Sequence, residues 1–167
     1  MIPSVPDVLD SRQGQPVVRL ATPADAQHLV AFNLAMAWET EHKRLDPEVL
    51  GRGVAAVFEQ PARGRYWVAE AGGAVQGGLL VTYEWSDWRD GDWWWIQSVY
   101  VRPEVRGQGV FRTLYRHVEA LARAEPGVVG LRLYVERGNV RAQGVYEALG
   151  MADSAYLVYQ DGFRAAG

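Results

Sequence analysis

Between Val99 and Tyr115 an apolar run of extended character gives way to a turn with glycines at 107 and 109, and that turn opens directly into helical apolar spacing. A strand feeding a helix in this way leaves several backbone N–H groups without partners, because the first turn of a helix has no carbonyl behind it. Those groups converge on one point, and the helix dipole adds positive potential there. Gly107 and Gly109 carry no Cβ, so a bulky anion can approach the main chain. The stretch therefore reads as a diphosphate cradle, which makes a phosphate-bearing cofactor the first hypothesis. An ordinary tight turn capping a helix uses the same residues, so a second signal is needed. Two familiar phosphate loops fail on chemistry. A Walker A loop requires Gly-Lys-Ser/Thr where Val110 and Phe111 follow Gly109, and a dinucleotide fingerprint requires a third glycine where Arg112 stands.

Composition narrows the classes of function. A chain of 167 residues with 49% hydrophobic and 22% charged residues fits one soluble globular domain with a sizeable core. No apolar run reaches membrane-spanning length and no basic-then-apolar leader is present, so no membrane is expected and the cytoplasm is the expected location. The absence of cysteine removes disulfides, thiolate metal sites and cysteine nucleophiles together. A net charge of −3 provides no footprint for nucleic acid. His28, His42 and His117 fall in no metal-ligand spacing, and no metal is expected.

Residues 1–15 lack periodicity and read as a flexible arm, leaving a domain over residues 16–162. Val17 to Leu20 reads as a first strand. Thr22-Pro23-Ala24-Asp25 then supplies an N-cap, a proline at the first helical position and an acid in the first turn. Asp46-Pro47-Glu48 repeats that signal for a second helix to about Phe58. Arg65–Ala71 and Ala74–Trp85 are strands joined at Gly72-Gly73, Asp87 to Asp92 is a turn, and Trp93–Val101 is a further antiparallel strand. After the glycine turn, Val110, Phe111, Leu114, Tyr115, Val118 and Leu121 mark the core face of a third helix. Val128 to Val135 is a buried-type strand. Asn139 caps a fourth helix with inner residues Ala142, Val145, Tyr146 and Leu149, closed by Gly150, and Ala155–Gln160 is a last strand. The order β-α-α-β-β-β-α-β-α-β describes a mixed α/β (α+β) domain, with one mostly antiparallel sheet flanked by four helices.

These residues resemble the GNAT superfamily of acyl-CoA-dependent N-acyltransferases. The family's Arg/Gln-x-x-Gly-x-Gly/Ala turn is matched by Arg106-Gly107-Gln108-Gly109-Val110-Phe111, its Asn-x-x-Ala-x-x-x-Tyr helix by Asn139, Ala142 and Tyr146, and its Leu-Gly-Phe ending by Leu149-Gly150-Met151. Element order matches from about Val17 to Gln160. One position departs: Phe111 stands where the family has a small residue, so its N–H is kept while its ring must turn into the core.

The resemblance implies acetyl-CoA as cofactor, its pyrophosphate held by the amides of Gly107, Gln108, Gly109, Val110, Phe111 and Arg112 with Arg106 framing the loop. It implies that Val99 and Val101 bond the pantetheine with their main chains, and that the Val99 N–H faces the thioester oxygen. Tyr146 would protonate the departing thiolate, and Asn139 would reach the pantetheine besides capping its helix. The family often places an acid on the fourth strand, where this chain has Trp93, Trp94, Trp95, Ile96 and Gln97. Glu84 at the end of the third strand and Glu39 or Glu41, placed just after the first helix, are the candidate bases, and Gln97 could hold a water. Trp85, Trp88 and Trp93 to Trp95 crowd with acids near Glu84, a composition suited either to caging a cationic amine or to a homodimer interface. The implied activity is transfer of acetyl from acetyl-CoA to a primary amine of a small molecule. A non-catalytic acyl-CoA sensor and a protein or peptide N-acetyltransferase are the alternatives.

Overall fold

The computed structural model describes residues 14–163. The arm expected over residues 1–15 lies almost wholly outside the described residues. Among these, β1 (Val17–Leu20), β2 (Arg65–Ala71), β3 (Ala74–Ser86), β4 (Gly91–Val101) and β5 (Val128–Leu133) form one sheet in the order β1-β2-β3-β4-β5. Neighbours are antiparallel except β4 and β5, which run parallel. Gly72 and Gly73 both hold positive φ (59° and 76°), the backbone a two-residue hairpin demands, and they turn β2 into β3. A parallel pair needs a crossover, and α3 (Val110–Ala124) supplies it.

Two layers of side chains hold the helices to the sheet. On one face Leu79, Val81, Trp67, Ala69, Trp94 and Ile96 pack against α3 through Val110, Leu114, Tyr115, Val118 and Ala122. On the other, Tyr66, Val68 and Val75 pack against Leu29 and Phe32 of α1 (Ala26–Glu41) and Val54 of α2 (Pro47–Glu59). Period-two alternation along β2 and from Gly77 onward in β3 sends successive residues to opposite layers, and the bulge at Gln76 puts Val75 in the layer opposite Leu79. The helix starts follow local chemistry: Asp46 Oδ1 accepts from the N–H of Glu48 at 2.8 Å, capping α2.

Several boundaries differ from the sequence expectation. Pro23–Asp25 is a separate 3₁₀ turn ahead of α1, held where the Thr22 N–H donates to Asp25 Oδ2 at 2.8 Å. Glu39 and Glu41 lie within the last turn of α1 rather than beyond it. Gly91 belongs to β4, paired with Ser86. On α3 the buried stripe steps by four residues, so Ala122 is buried and Leu121 exposed. β5 stops at Leu133. The strand expected over Ala155–Gln160 does not form: the segment is exposed and joins no ladder, and Ala155 takes a left-handed φ of 61°. The sheet therefore ends at β5. No helix among the described residues is long and apolar enough to cross a membrane.

Candidate functional site

The turn between β4 and α3 has the geometry of an anion cradle. Gly107 and Gly109 hold φ of 79° and 86°, and nothing lies within 4 Å of where a Cβ would sit on either, so the demand for glycine comes from the backbone. Among the described residues the N–H groups of Gly107, Gly109, Val110, Phe111 and Arg112 reach no backbone carbonyl. The Gln108 N–H leans on the Val105 carbonyl at 3.4 Å, and the Thr113 N–H donates to Gly109 O at 2.9 Å, which begins the helical ladder. Arg106 braces the turn from below: its Nε donates to Val101 O at 2.9 Å and its Nη2 to Glu39 Oε2 at 2.7 Å, with the guanidinium 5.2 Å above the Tyr100 ring. Arg112 is exposed on the first helical turn.

Beside this turn the sheet opens. Register places Leu80 opposite Ser98 and Val81 opposite Ile96, so Gln97 is the extra residue of a bulge, with its side chain exposed. On the other side β5 follows β4 only as far as the Ile96–Leu133 pair. Hydrogen bonds in an antiparallel ladder fall on alternate residues. Arg102 donates to Gln76 O at 2.9 Å, which sets the parity: Tyr100 and Ser98 turn their main-chain groups toward β3, while those of Val99 and Val101 face the opened side. The Val101 carbonyl is the one Arg106 reaches. The cleft is thus a strip of β4 backbone turned away from β3 and ending at the glycine turn.

The third wall is α4 (Val140–Ala148). Asn139 Oδ1 accepts from the Ala142 N–H at 3.0 Å, capping its start. Gly150 N–H donates to Glu147 O and Met151 N–H to Tyr146 O, the paired bonds of a Schellman ending, and Leu149 anchors the end in the core. The half-buried Tyr146 ring meets Phe111 edge-on at 6.0 Å, and Phe111 packs on Tyr115 at 6.2 Å. Phe111 thus packs its ring inward, as its position demanded, and becomes the contact between α3 and Tyr146. Burial pushes the Tyr146 hydroxyl above its ordinary pKa, so it stays protonated at neutral pH.

The acids are disposed in two places. Burial raises the Glu39 carboxyl, but hydrogen bonds from Tyr100 (2.7 Å) and Arg106 outweigh it and hold the group below the usual carboxylate range. Glu41 pairs with Lys43. Glu84 accepts from Trp95 Nε1 and from Arg132 Nη1, each at 2.7 Å. Arg132 in turn lies 3.9 Å from the Trp93 ring centre, Arg89 lies 5.3 Å from the same ring, and Trp95 stacks on Tyr134 at 4.3 Å. The aromatic–acid cluster read near Glu84 is therefore real, but arginines of the chain itself occupy its cation positions over Trp93. Trp85 alternates away from Glu84 and, with Trp88, is exposed at the hairpin tip. Tyr100, Arg132 and Tyr134 were not singled out from sequence. Arg132 had a signal, a charge inside an apolar strand, whereas the tyrosines had none.

A crossed-over parallel pair that splays beside a glycine turn defines the protein class. The sequence profile of the acetyltransferase (GNAT) family matches residues 29–151, and the chain belongs to that family. A thialysine N-epsilon-acetyltransferase of Bos taurus is 35% identical over 91 residues, covering 52% of each chain. A mycothiol acetyltransferase of Corynebacterium aurimucosum is 30% identical over 132 residues, covering 77% of this chain and 43% of its own. The chain thus spans about half the length of the curated relatives it matches. Among solved structures, that of a possible acetyltransferase from Clostridium difficile 630 superposes with a TM-score of 0.84 at 38% identity, covering 90% of this chain and 99% of that one.

Proposed function

We propose that this chain transfers an acetyl group from acetyl-CoA directly to a primary amine of a small molecule. The observation that supports it best is the convergence of three features on one cleft: unpartnered amides at Gly107 and Gly109 to Arg112, main-chain groups of Val99 and Val101 turned away from β3, and Tyr146 packed on Phe111. The amides of the turn would hold the CoA pyrophosphate, and the opened edge of β4 would hold the pantetheine as an added strand, with Asn139 at its side. The amine nitrogen attacks the thioester carbonyl and forms the C–N bond, while the Val99 N–H stabilises the oxyanion. As the C–S bond breaks, the thiolate takes the proton of Tyr146, whose burial keeps it a neutral donor. We assign Glu84 to receive the amine proton, directly or through a water at Gln97, because its carboxylate is bound to Trp95 two residues before the bulge. Glu39 and Glu41 on the last turn of α1 form the outer acceptor wall in this reading, whereas Trp85 sits at the hairpin tip, at the far end of β4 from Glu39. The name of the thialysine acetyltransferase supports an amine acceptor.

Replacing Tyr146 by Phe tests the reading. Turnover of acetyl-CoA against a panel of small amines should fall about a hundredfold or more, the usual contribution of a general acid. CoA affinity by calorimetry should be unchanged. Undiminished turnover would remove Tyr146 from the chemistry. The pairing of Glu39 with Arg106 and of Glu84 with Arg132 favours one other reading, a CoA-binding sensor: CoA binding by the natural chain, with no turnover on amines or peptides, would establish it.

A further inference from the structure

Of the 17 Lys and Arg residues in the chain only Lys43 is lysine. A guanidinium stays protonated and offers no lone pair, so Lys43 is the one side-chain amine able to attack a thioester. The backbone around it is closely fixed. α1 ends in a Schellman turn built on His42, a non-glycine residue at φ 52°: the His42 N–H donates to Trp38 O at 3.1 Å and the Lys43 N–H to Ala37 O at 3.2 Å. The neighbours on either side fold back onto one ring. His42 meets Trp38 edge-on at 5.6 Å, and the Arg44 guanidinium lies 5.2 Å from the Trp38 ring centre. Lys43 is left alone on the turn, its side chain 60% exposed and its ammonium on Glu41. The same last turn of α1 is bonded to the cofactor turn through Glu39 and Arg106 at 2.7 Å, so Lys43 stands at the rim of the cleft.

We propose, on the acetyl-transfer reading above, that Lys43 Nζ is itself an acceptor and that copies of this chain acetylate one another there. Lys43 presents what that reading requires, a primary amine at the end of an unbranched four-carbon stem. Transfer passes between copies because the clasped turn holds Lys43 at its own rim, facing solvent. The unprotonated Nζ attacks the thioester carbonyl of acetyl-CoA held by the other copy. The C–N bond forms and the C–S bond breaks. The thiolate leaves with the Tyr146 proton and the nitrogen gives one proton to Glu84, so the products are a neutral amide and free CoA. Exchange with solvent then restores Tyr146 and Glu84. The amide carries no charge for Glu41 to pair with. Acetylation therefore releases that carboxylate and leaves the rim more negative, which favours capture of a cationic amine.

Intact-mass spectrometry of the full chain incubated with acetyl-CoA tests this. A single gain of about 42 Da is expected, one acetyl in place of one hydrogen, mapped to Lys43 by peptide digestion and absent from Lys43→Arg. Its rate per chain should rise in proportion to chain concentration, as a reaction between copies demands. Tyr146→Phe alone should gain the acetyl about a hundredfold more slowly. Adding Lys43→Arg, which keeps Tyr146 but lacks the amine, should restore the gain on the Tyr146→Phe chain. No gain, a gain that survives Lys43→Arg, an equal rate in Tyr146→Phe, no restoration in the mixture, or a rate independent of concentration would each overturn the proposal. Turnover on small amines without a gain at Lys43 defeats self-acetylation alone, whereas absence of both defeats the acetyl-transfer reading with it. Should Tyr146→Phe fail to fold, the concentration dependence and the peptide map of the natural chain still decide.

Discussion

Asp25 is 5% exposed and accepts hydrogen bonds from both Arg19 Nη atoms, at 2.8 and 2.9 Å, and from the Thr22 N–H. The Arg19 hydrogen bonds outweigh the cost of burial and draw its pKa from 3.8 to about 2. A folded-state pKa below the unfolded one contributes stability that is complete above about pH 4 and is lost as pH falls toward 2. Arg19 is partly open to solvent, which screens the pair, so about 1–2 kcal/mol should disappear over that window. Urea midpoints measured from pH 6 down to pH 2 should show the loss in the natural chain, and Asp25→Asn should be less stable at pH 6 with little of this acid dependence. Sequence placed Asp25 only as an acid in a first turn, because Arg19 lies on the preceding strand and meets it only when the chain folds back. Phe111 was more legible: a large ring in a turn that must leave its N–H free has nowhere to pack but inward, which is where it meets Tyr115 and Tyr146.

At the level of elements, the turn from β4 into α3 was the most legible part, since its glycines and the helical spacing after it act within a dozen residues. Gly109→Ala tests how much of the cradle is backbone conformation. No neighbour would clash with the new methyl, so the cost is that of a left-handed alanine, about 1 kcal/mol. A modest loss of stability by urea denaturation should accompany a several-fold weaker CoA affinity by calorimetry. The bulge at Gln97 could not be read, because an extra residue in one strand is defined by the partner strand opposite. The same dependence explains Ala155–Gln160: its residues favour a strand, but a strand exists only where another edge receives it.

Across the whole molecule, anchoring is uneven. α3 lies flat on the sheet with Leu114 and Val118 sealed from solvent, whereas α4 touches the core mainly through Tyr146 and Leu149. Leu114→Ala should therefore cost about 3–5 kcal/mol in chemical denaturation, and Val145→Ala, at a side chain 41% exposed, well under 1 kcal/mol. Near-equal costs would show that α4 is packed as firmly as α3. From the residues alone one can derive the strand–turn–helix cradle, the capped helix bearing Tyr146 and the order of elements, because caps, turns and apolar periods are local preferences. Tertiary structure alone decided that β4 and β5 part after Ile96 and Leu133, that Val99 and Val101 face the gap, and that Arg132 fills the cation position over Trp93. Each of those depends on register between segments far apart in the chain, and register is set by which faces the assembled core must bury.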